Sequence, residues 1–279
     1  MQLTRFYLQL IKTPQTGLLL FTALAGYLGS DGSLQTNTLL LALLGLLLAV
    51  SGTTAVNMVF DRDIDALMGR TRERPLPAGH LTQRAATLFG TALILAGMAL
   101  NFWIDTLYAL MVLIGIFADF IIYTIWLKRR SPWSIIFGGI AGGMPILAGR
   151  VLAIGAVDGI GLLMGLSILL WIPTHILTLA MNHSDDYRLA GVPVFPNVFG
   201  FVRARYFIAL ANLLAAGIFM TIFYLLDIPR AGLMVLRIGS LLLVILSLRL
   251  ILNPSRETNF TLFKFASIYM AAAMLIMII

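Results

Sequence analysis

The stretch Asn57–Gly79, NMVFDRDIDALMGRTRERPLPAG, concentrates charge in a chain that otherwise holds little of it. It contains four acids and four bases, whereas the whole sequence has only 12 acids and 19 bases. Long apolar segments lie on both sides of the stretch, so the charges stand between two hydrophobic runs. Charge placed where a hydrophobic helix ends predicts a functional site at a membrane surface.

The composition predicts an integral membrane protein. The chain has 279 residues, of which 60% are hydrophobic and 11% charged, with a mean hydropathy of +0.97. A water-soluble domain cannot bury so much apolar surface. Apolar runs of about 17–20 residues or more, long enough to cross a bilayer as helices, recur along the chain. The sequence has no cysteine, which excludes disulfides and thiolate metal sites.

We therefore expect an all-α fold, a polytopic helical bundle formed by one transmembrane domain over residues 1–279. The apolar runs are continuous, which favours helices over the short alternating segments of a membrane barrel. Nine spans are predicted, at 14–30, 38–60, 83–104, 106–127, 132–153, 159–181, 203–226, 229–252 and 258–279.

The basic residues lie mostly on one side of these nine spans. Sixteen of the 19 fall at the N-terminus or in the connections that follow the second, fourth, sixth and eighth spans. The opposite connections are short and carry single acids, namely Asp31, Asp105, Asp158 and Asp227. The positive-inside rule then places the N-terminus and the charged stretch on the cytoplasmic side of the cell membrane and the C-terminus outside.

Within the charged stretch, Asn57, Asp61 and Asp65 are spaced four residues apart. On a helix this spacing puts the three side chains on one face. Carboxylates one turn apart repel each other unless a cation lies between them. Oxygen ligands of this kind suit Mg²⁺, with Mn²⁺ as an alternative. Three arginines follow between positions 70 and 74, and guanidinium groups bind phosphate oxygens. The pattern predicts a metal–diphosphate site; the alternative is a solvated loop whose charges only set topology.

The end of the sixth predicted span repeats this arrangement. In WIPTHILTLAMNHSDDYRLAGVPVFPNVFG, it presents Asn182, Asp185 and Asp186 on the same side of the membrane, with Arg188 following. Two acid clusters on one membrane face can clamp a metal–diphosphate complex from both sides. The structural alternative is that Asp186 only pairs with Arg188 or caps a neighbouring helix end.

These motifs resemble the UbiA superfamily of intramembrane prenyltransferases and, within it, the branch that farnesylates haem. The superfamily likeness rests on the stretch from Asn57 to Gly79, on DDY after the sixth span, and on the nine spans. The haem branch is suggested by YTIWLKRRSPWSIIFGGIAGGMPILAG, WIPTHILTLA and DDYRLAGVPVFP. The resemblance implies a helical bundle around a central cavity. It also implies Mg²⁺-dependent transfer of farnesyl from farnesyl diphosphate to the vinyl group of haem B, through an allylic carbocation. Membrane lipids are expected partners and nucleic acid is not.

The resemblance also assigns roles to individual positions. The residues expected to bind metal are Asn57, Asp61, Asp65, Asp185 and Asp186. The four aspartates among them are also expected to be catalytic. The residues expected to bind diphosphate are Lys12, Arg70, Arg74 and Lys128.

Two ionisable residues inside predicted spans, Asp119 and His175, are assigned to the acceptor pocket, because such residues usually face a cavity. For Asp119 the alternative is a hydrogen bond to another helix, and for His175 it is a contact with helix backbone. Asn182, His183 and Ser184 stand where the haem branch usually has a basic or aromatic pair. An aromatic, quinone-precursor or lipid acceptor therefore stays open. A transporter or lipid carrier is the alternative from another class, although acids confined to one membrane face disfavour it.

Overall fold

The computed structural model describes residues 2–30 and 32–278. Asp31, one of the acids predicted between spans, and Ile279, the last residue of the ninth predicted span, lie outside this part, as does Met1. The described residues form helices joined by short connections and contain no strand, which confirms the all-α prediction. The elements are α1 (Gln2–Leu10), α2 (Thr13–Leu28), α3 (Thr36–Phe60), α4 (Arg62–Leu67), α5 (Gln83–Ile104), α6 (Thr106–Ile116) with a π-helix over Phe117–Leu127, α7 (Ser134–Ile154), α8 (Gly159–Asn182), α9 (Ser184–Leu189), α10 (Phe195–Phe199), α11 (Phe201–Leu225), α12 (Arg230–Leu252) and α13 (Arg256–Ile278).

Eight segments within the described residues are long and apolar enough to cross a membrane. They correspond to the second to ninth predicted spans, with ends that differ by a few residues. The first predicted span corresponds to α2, which has 16 residues. Its length of about 24 Å falls short of a hydrocarbon core of about 30 Å. The chain is thus a multi-pass membrane bundle in which α2 is shorter than the eight spanning segments.

Glycines allow several helices of the bundle to touch backbone to backbone. A Cβ atom placed on Gly149 of α7 would lie 1.9 Å from the carbonyl oxygen of Ala23 in α2. One placed on Gly26 would lie 2.1 Å from the carbonyl oxygen of Ile146. Any side chain at these two positions would force α2 and α7 apart. Small residues of this kind drive helix association in lipid, where the hydrophobic effect does not distinguish helix from acyl chain.

A buried arginine ties three helices together at the predicted outer end of the bundle. Arg150, near the end of α7, is 7% exposed. Its guanidinium donates to both carboxylate oxygens of Asp158, at 2.7 and 2.6 Å, and to Oγ of Ser30, at 2.9 Å. The carboxylate of Asp158 also accepts from the N–H of Gly161 in the first turn of α8. These hydrogen bonds, the one from Arg150 first, hold the pKa of Asp158 below its usual range.

Candidate active site

The first acidic stretch keeps its side chains on one face although the helix breaks inside it. Between α3 and α4, the N–H of Asp61 donates to the carbonyl of Asn57 at 2.9 Å, and the N–H of Asp65 donates to that of Asp61 at 2.8 Å. Helical hydrogen bonding therefore continues through the break. The three residues are 8%, 6% and 4% exposed in chain order. The four-residue spacing thus follows continuous helical hydrogen bonding, and this stripe of three residues is buried rather than solvated.

Each carboxylate of this stripe pairs with a base from a later part of the chain. Oδ2 of Asp61 accepts from Nζ of Lys128 at 2.5 Å. Oδ2 of Asp65 accepts from Nη1 of Arg74 at 2.7 Å. Two of the four residues predicted to bind diphosphate thus lie against two of the residues predicted to bind metal. Removing one partner of such a buried pair leaves an uncompensated charge, which is strongly destabilising.

Two buried oxygens of the stripe have no hydrogen-bond partner among the described residues. They are Oδ1 of Asn57 and Oδ1 of Asp61, and both are buried. The amide Nδ2 of Asn57 donates to Oδ2 of Asp119 at 2.6 Å, which leaves the amide oxygen free. A buried oxygen without a partner is costly, and a cation is one group that can satisfy it. The donor set therefore fits a divalent cation.

The described residues hold no preformed cluster of three or more acids or histidines close enough to enclose a metal. A cation bound at the two free oxygens would need further oxygens from elsewhere. Mg²⁺ commonly completes its shell with water and substrate phosphates around one or two carboxylates. The arrangement is therefore one that a metal and a diphosphate would complete together.

Lys12 lies between α1 and α2, close to the same charges. Its backbone is left-handed, with φ 44° and ψ 60°, which is uncommon for a residue other than glycine. Strained conformations of this kind cluster at functional sites. Burial, with the nearby Arg74 and Lys128, lowers the pKa of Lys12 to about 8. Arg70, the remaining predicted diphosphate ligand, is exposed on the loop that follows α4.

The second acidic stretch meets the first through one of its two aspartates. Oδ1 of Asp186 accepts from the N–H of Gly69 at 3.3 Å, and Nδ1 of His183 lies 3.8 Å from its other oxygen. The carboxylate of Asp185 is 84% exposed and lies 3.6 Å from the guanidinium of Arg188. The structure therefore brings Asp186 against the first stretch. The pairing with Arg188 that the sequence left open for Asp186 is made by Asp185 instead.

Arg129 was overlooked as a site residue, because a basic turn at a membrane surface is explained well enough by topology. Its guanidinium donates to both oxygens of the Asp63 carboxylate, at 2.6 Å each, and to the carbonyl of Phe60, also at 2.6 Å. These bonds join the break between α3 and α4 to the end of the π-helix. The hydrogen bond from Arg129 lowers the pKa of Asp63 to about 2. The signal in the sequence was that Asp63 points away from Asp61 and needs a partner of its own.

The two residues predicted for the acceptor pocket lie in different surroundings. Asp119 contacts Asn57 and so belongs to the acidic cluster, as the hydrogen-bonded alternative proposed. His175, on α8, is stacked between Trp171 and Phe263, with ring centroids 4.8 Å away on each side. Phe260 extends this stack along α13 at 6.0 Å from Phe263. Nδ1 of His175 is buried and has no partner among the described residues.

Comparison with known proteins shows the family to which the chain is similar. The model of the UbiA prenyltransferase family matches residues 18–269. A protoheme IX farnesyltransferase of Archaeoglobus fulgidus is 37% identical over 270 residues, which cover 96% of this chain and 94% of the relative. One of Thermofilum pendens is 38% identical over 276 residues, covering 98% and 97%.

Solved structures share the fold. A structure from work on digeranylgeranylglyceryl phosphate synthase superposes with a TM-score of 0.83 at 22% identity, covering 100% of this chain and 98% of the other. A UbiA homolog from Archaeoglobus fulgidus, bound to DMAPP and Mg²⁺, superposes with a TM-score of 0.68 at 18% identity, covering 97% and 98%. At these identities the likeness establishes the architecture alone.

Proposed function

Because the chain belongs to the UbiA prenyltransferase family, and is therefore a membrane prenyltransferase, we propose that it transfers farnesyl from farnesyl diphosphate to the vinyl group of haem B. The family assignment favours an enzyme over the carrier considered from sequence. The haem acceptor is supported by full-length protoheme IX farnesyltransferase relatives at 37–38% identity. We place the site at the cytoplasmic side of the cell membrane, with the N-terminus inside and the C-terminus outside, on the distribution of basic residues.

The observation that carries the proposal is the pair of buried oxygens on Asn57 and Asp61 that have no partner within residues 2–30 and 32–278. With Asp65 and Asp186, they would hold Mg²⁺, or Mn²⁺ in its place. Asp185 would join them by turning away from Arg188. A bound divalent cation supplies Lewis-acid stabilisation of the diphosphate leaving group. Support for such a cation comes from the UbiA homolog solved with DMAPP and Mg²⁺.

The bases of the site would hold the diphosphate. Lys128 and Arg74 already point their donors into the acidic cluster, and Lys12 lies beside them. Arg70 would reach the diphosphate from the exposed loop. Donors placed before the reaction stabilise charge that develops on the leaving group without having to reorganise. The acids keep these cations in place until the diphosphate arrives.

The acceptor side would use the aromatic stack of α8 and α13. The stacking of Trp171 and Phe263 on both faces of His175 leaves only the ring edge to meet a ligand. A flat macrocycle with a central iron suits such an edge, because imidazole nitrogen is a common metal ligand. Asp119, the second predicted acceptor residue, contacts Asn57 and so lies beside a proposed metal ligand instead.

The surrounding helices would protect the reacting carbon. When the diphosphate departs, the allylic carbocation forms a bond to the terminal vinyl carbon of haem B. Water then adds to the neighbouring carbon and releases a proton, which gives a hydroxyalkyl product. Apolar walls keep water from the cation before the carbon–carbon bond has formed. The farnesyl chain would enter from the lipid between helices.

The test is product mass spectrometry on purified protein with Mg²⁺, farnesyl diphosphate and haem B, with and without EDTA. We expect a metal-dependent farnesylhydroxyethyl haem, its loss in Asp61→Asn, and its retention in Asp105→Asn. Asp105 caps α6 through the N–H of Tyr108 and serves as the matched control. Absence of a haem product from folded protein, beside an active positive control, would reject haem and direct the assay to aromatic and lipid acceptors.

A further inference from the structure

The geometry points to Asp119 as a positioning residue of the metal site, which sets the orientation of the Asn57 amide so that its oxygen faces the cation. This inference rests on the proposed metal-dependent function and deepens it. It moves Asp119 from the acceptor pocket, where the sequence placed it, to the metal side. If the inference is wrong and the proposed function is right, the experiment gives a different result from the one expected when both are wrong.

The two ends of the Asn57 side chain differ in what they can bind. An asparagine amide has a donor end and an acceptor end, and only the acceptor end can bind a cation. Nδ2 of Asn57 donates to Oδ2 of Asp119 at 2.6 Å, while Oδ1 is buried and without a partner among the described residues. A carboxylate accepts hydrogen bonds, so it favours this orientation and opposes the flipped one. The free Oδ1 then lies one helical turn from the free Oδ1 of Asp61.

The π-helix that carries Asp119 brings two groups to the same face. The contacts of Asp119 with Asn57 and of Lys128 with Asp61 are made by residues nine positions apart. In an α-helix nine positions make about 2.5 turns, which would put the two side chains on opposite faces. In a π-helix, whose hydrogen bonds close one residue later, nine positions make roughly two turns. The wider turn of the π-helix thus places Asp119 and Lys128 on the same face, the one that meets α3.

Hydrogen bonds inside the π-helix maintain that register. Oγ1 of Thr124, a buried side chain, donates to the carbonyl of Asp119 at 3.0 Å, five residues earlier. The N–H of Lys128 donates to the carbonyl of Tyr123 at 2.8 Å, again five residues earlier. Nζ of Lys128 also lies 5.4 Å from the centre of the Tyr123 ring. Hydrogen bonds that span five residues therefore hold the chain in the π conformation both at Asp119 and at Lys128.

A positioning role and an acceptor role predict different kinetics. A residue that orients a metal ligand controls the affinity for the cation, and loss of such a partner typically costs about 10–100-fold. A residue that lines the acceptor pocket controls KM for haem B. The two roles can be separated by varying the cation and the acceptor independently.

The experiment compares wild type with Asp119→Leu, Asp119→Asn, Asn57→Asp and the double variant Asn57→Asp/Asp119→Asn. Mn²⁺ binding is measured by electron paramagnetic resonance in the presence of a non-hydrolysable farnesyl diphosphate analogue. KM values for Mg²⁺ and for haem B are measured in parallel. The double variant inverts the hydrogen bond, because the amide introduced at position 119 would donate to the carboxylate introduced at position 57. Both oxygens of that carboxylate suit the cation. Asp105→Asn, at the cap of α6 and outside the site, is the control for an aspartate-to-asparagine change.

We expect Asp119→Leu to weaken Mn²⁺ binding by about 10–100-fold and to raise KM for Mg²⁺ similarly, with KM for haem B unchanged. Asp119→Asn is expected to lose less, since the introduced amide still has an acceptor oxygen. The double variant is expected to bind Mn²⁺ more tightly than Asp119→Asn. If Asp119→Leu does not fold, the comparison of Mn²⁺ binding between the double variant and Asp119→Asn tests the inference.

Unchanged Mn²⁺ binding in folded Asp119→Leu, or a rise in KM for haem B alone, would overturn the inference and leave the proposed function standing. Failure of the double variant to improve on Asp119→Asn would also overturn it. If wild type itself binds no Mn²⁺ and transfers no farnesyl, the proposed function falls and the inference falls with it.

Discussion

The two acidic stretches lie on the same membrane face and contain the same kinds of residue, but their carboxylates are held differently. The side chain of Asp65 is 6% exposed and bonds to Arg74 at 2.7 Å. The side chain of Asp185 is 84% exposed and lies 3.6 Å from Arg188. Asp186 is intermediate, with one N–H bond at 3.3 Å. The carboxylate of Asp65 in the first stretch is therefore held in a mostly buried ion pair, whereas the second stretch leaves Asp185 in solvent. Preorganisation is concentrated where α3, α4 and the π-helix meet.

The largest effect is expected from Asp61→Asn. This change removes a proposed metal ligand and leaves Lys128, whose side chain is only 15% exposed, without its carboxylate. We expect prenyl transfer to fall by about 100-fold or more, since the residue serves both metal and diphosphate. We also expect a loss of roughly 3 kcal/mol in stability from the uncompensated charge. Product formation and detergent-phase thermal unfolding measure the two effects.

The double variant Asp61→Asn/Lys128→Met separates these effects. It should regain thermal stability, because no buried charge is left alone, and it should stay inactive. Recovery of activity in the double variant would show that Asp61 serves folding and not chemistry.

The next largest effect is expected within the second stretch, where two neighbours should differ. Asp186→Asn should reduce prenyl transfer by about 10–100-fold, because Asp186 faces the first stretch. Asp185→Asn should reduce it by much less, because its carboxylate faces solvent beside Arg188. Initial rates at several Mg²⁺ concentrations make the comparison. Equal losses would mean that Asp185, once it has turned away from Arg188, contributes to metal binding as much as Asp186 does.

A smaller, pH-dependent effect is expected from Lys12. The pKa of Lys12 is lowered to about 8, chiefly by burial, so the residue is cationic below pH 8 and loses its proton above it. Binding a diphosphate should raise this pKa. Affinity for a farnesyl diphosphate analogue should then be constant just below pH 8 and fall above it, by at most about tenfold per pH unit. Equilibrium binding across about pH 7–10 gives the profile.

Lys12→Arg is the matched control for that profile, because arginine stays protonated throughout this range. The variant should lose the decline above pH 8. A decline that persists unchanged in Lys12→Arg would assign it to another group and remove Lys12 from the diphosphate site.

The smallest effect is expected from Asp63→Asn, which lies in the first stretch but outside its buried face. The pair with Arg129 is exposed, so its loss should cost less than about 1 kcal/mol and leave prenyl transfer near the wild-type rate. The pKa of Asp63 is lowered to about 2, so its contribution to stability is complete above the ordinary aspartate pKa of about 4 and fades only as pH falls toward 2. Thermal unfolding at neutral pH should therefore show no pH dependence from this residue. A large loss of activity would contradict this prediction and show that the break between α3 and α4 contributes to the reaction.

Much of the fold followed from sequence because the bilayer imposes strong requirements on it. Apolar length and the sidedness of arginine and lysine together gave nine spans, and the four-residue spacing gave the face shared by Asn57, Asp61 and Asp65. The end of α2 was harder, since the predicted span runs on to residue 30, whereas the helix ends at Leu28 and is capped by Gly29. Hydropathy measures where a chain is apolar and not where its hydrogen bonding stops.

The partners of the site residues were not visible in the sequence. Lys128 was expected to meet diphosphate, and its pairing with Asp61 depends on how α3 packs against the π-helix. The difference between Asp185 and Asp186 depends on how the short helix α9 is rotated, and adjacent identical residues carry no signal of that. His175 could be placed in a span, but one of its aromatic neighbours, Phe263, comes from a helix distant in sequence.

The π-helix also affects how this chain is compared with its relatives. An α-helix covers the turns of residues 117–127 with fewer residues, so a relative without the π segment needs about one or two residues fewer to make the same number of turns. A gap-free alignment can then match either the column of Asp119 or that of Lys128, but not both. The sequence identity of such an alignment will then be too low in this region, even where the side chains of the two proteins occupy the same positions in space. Alignments that admit a gap between these two positions are the ones that compare equivalent side chains.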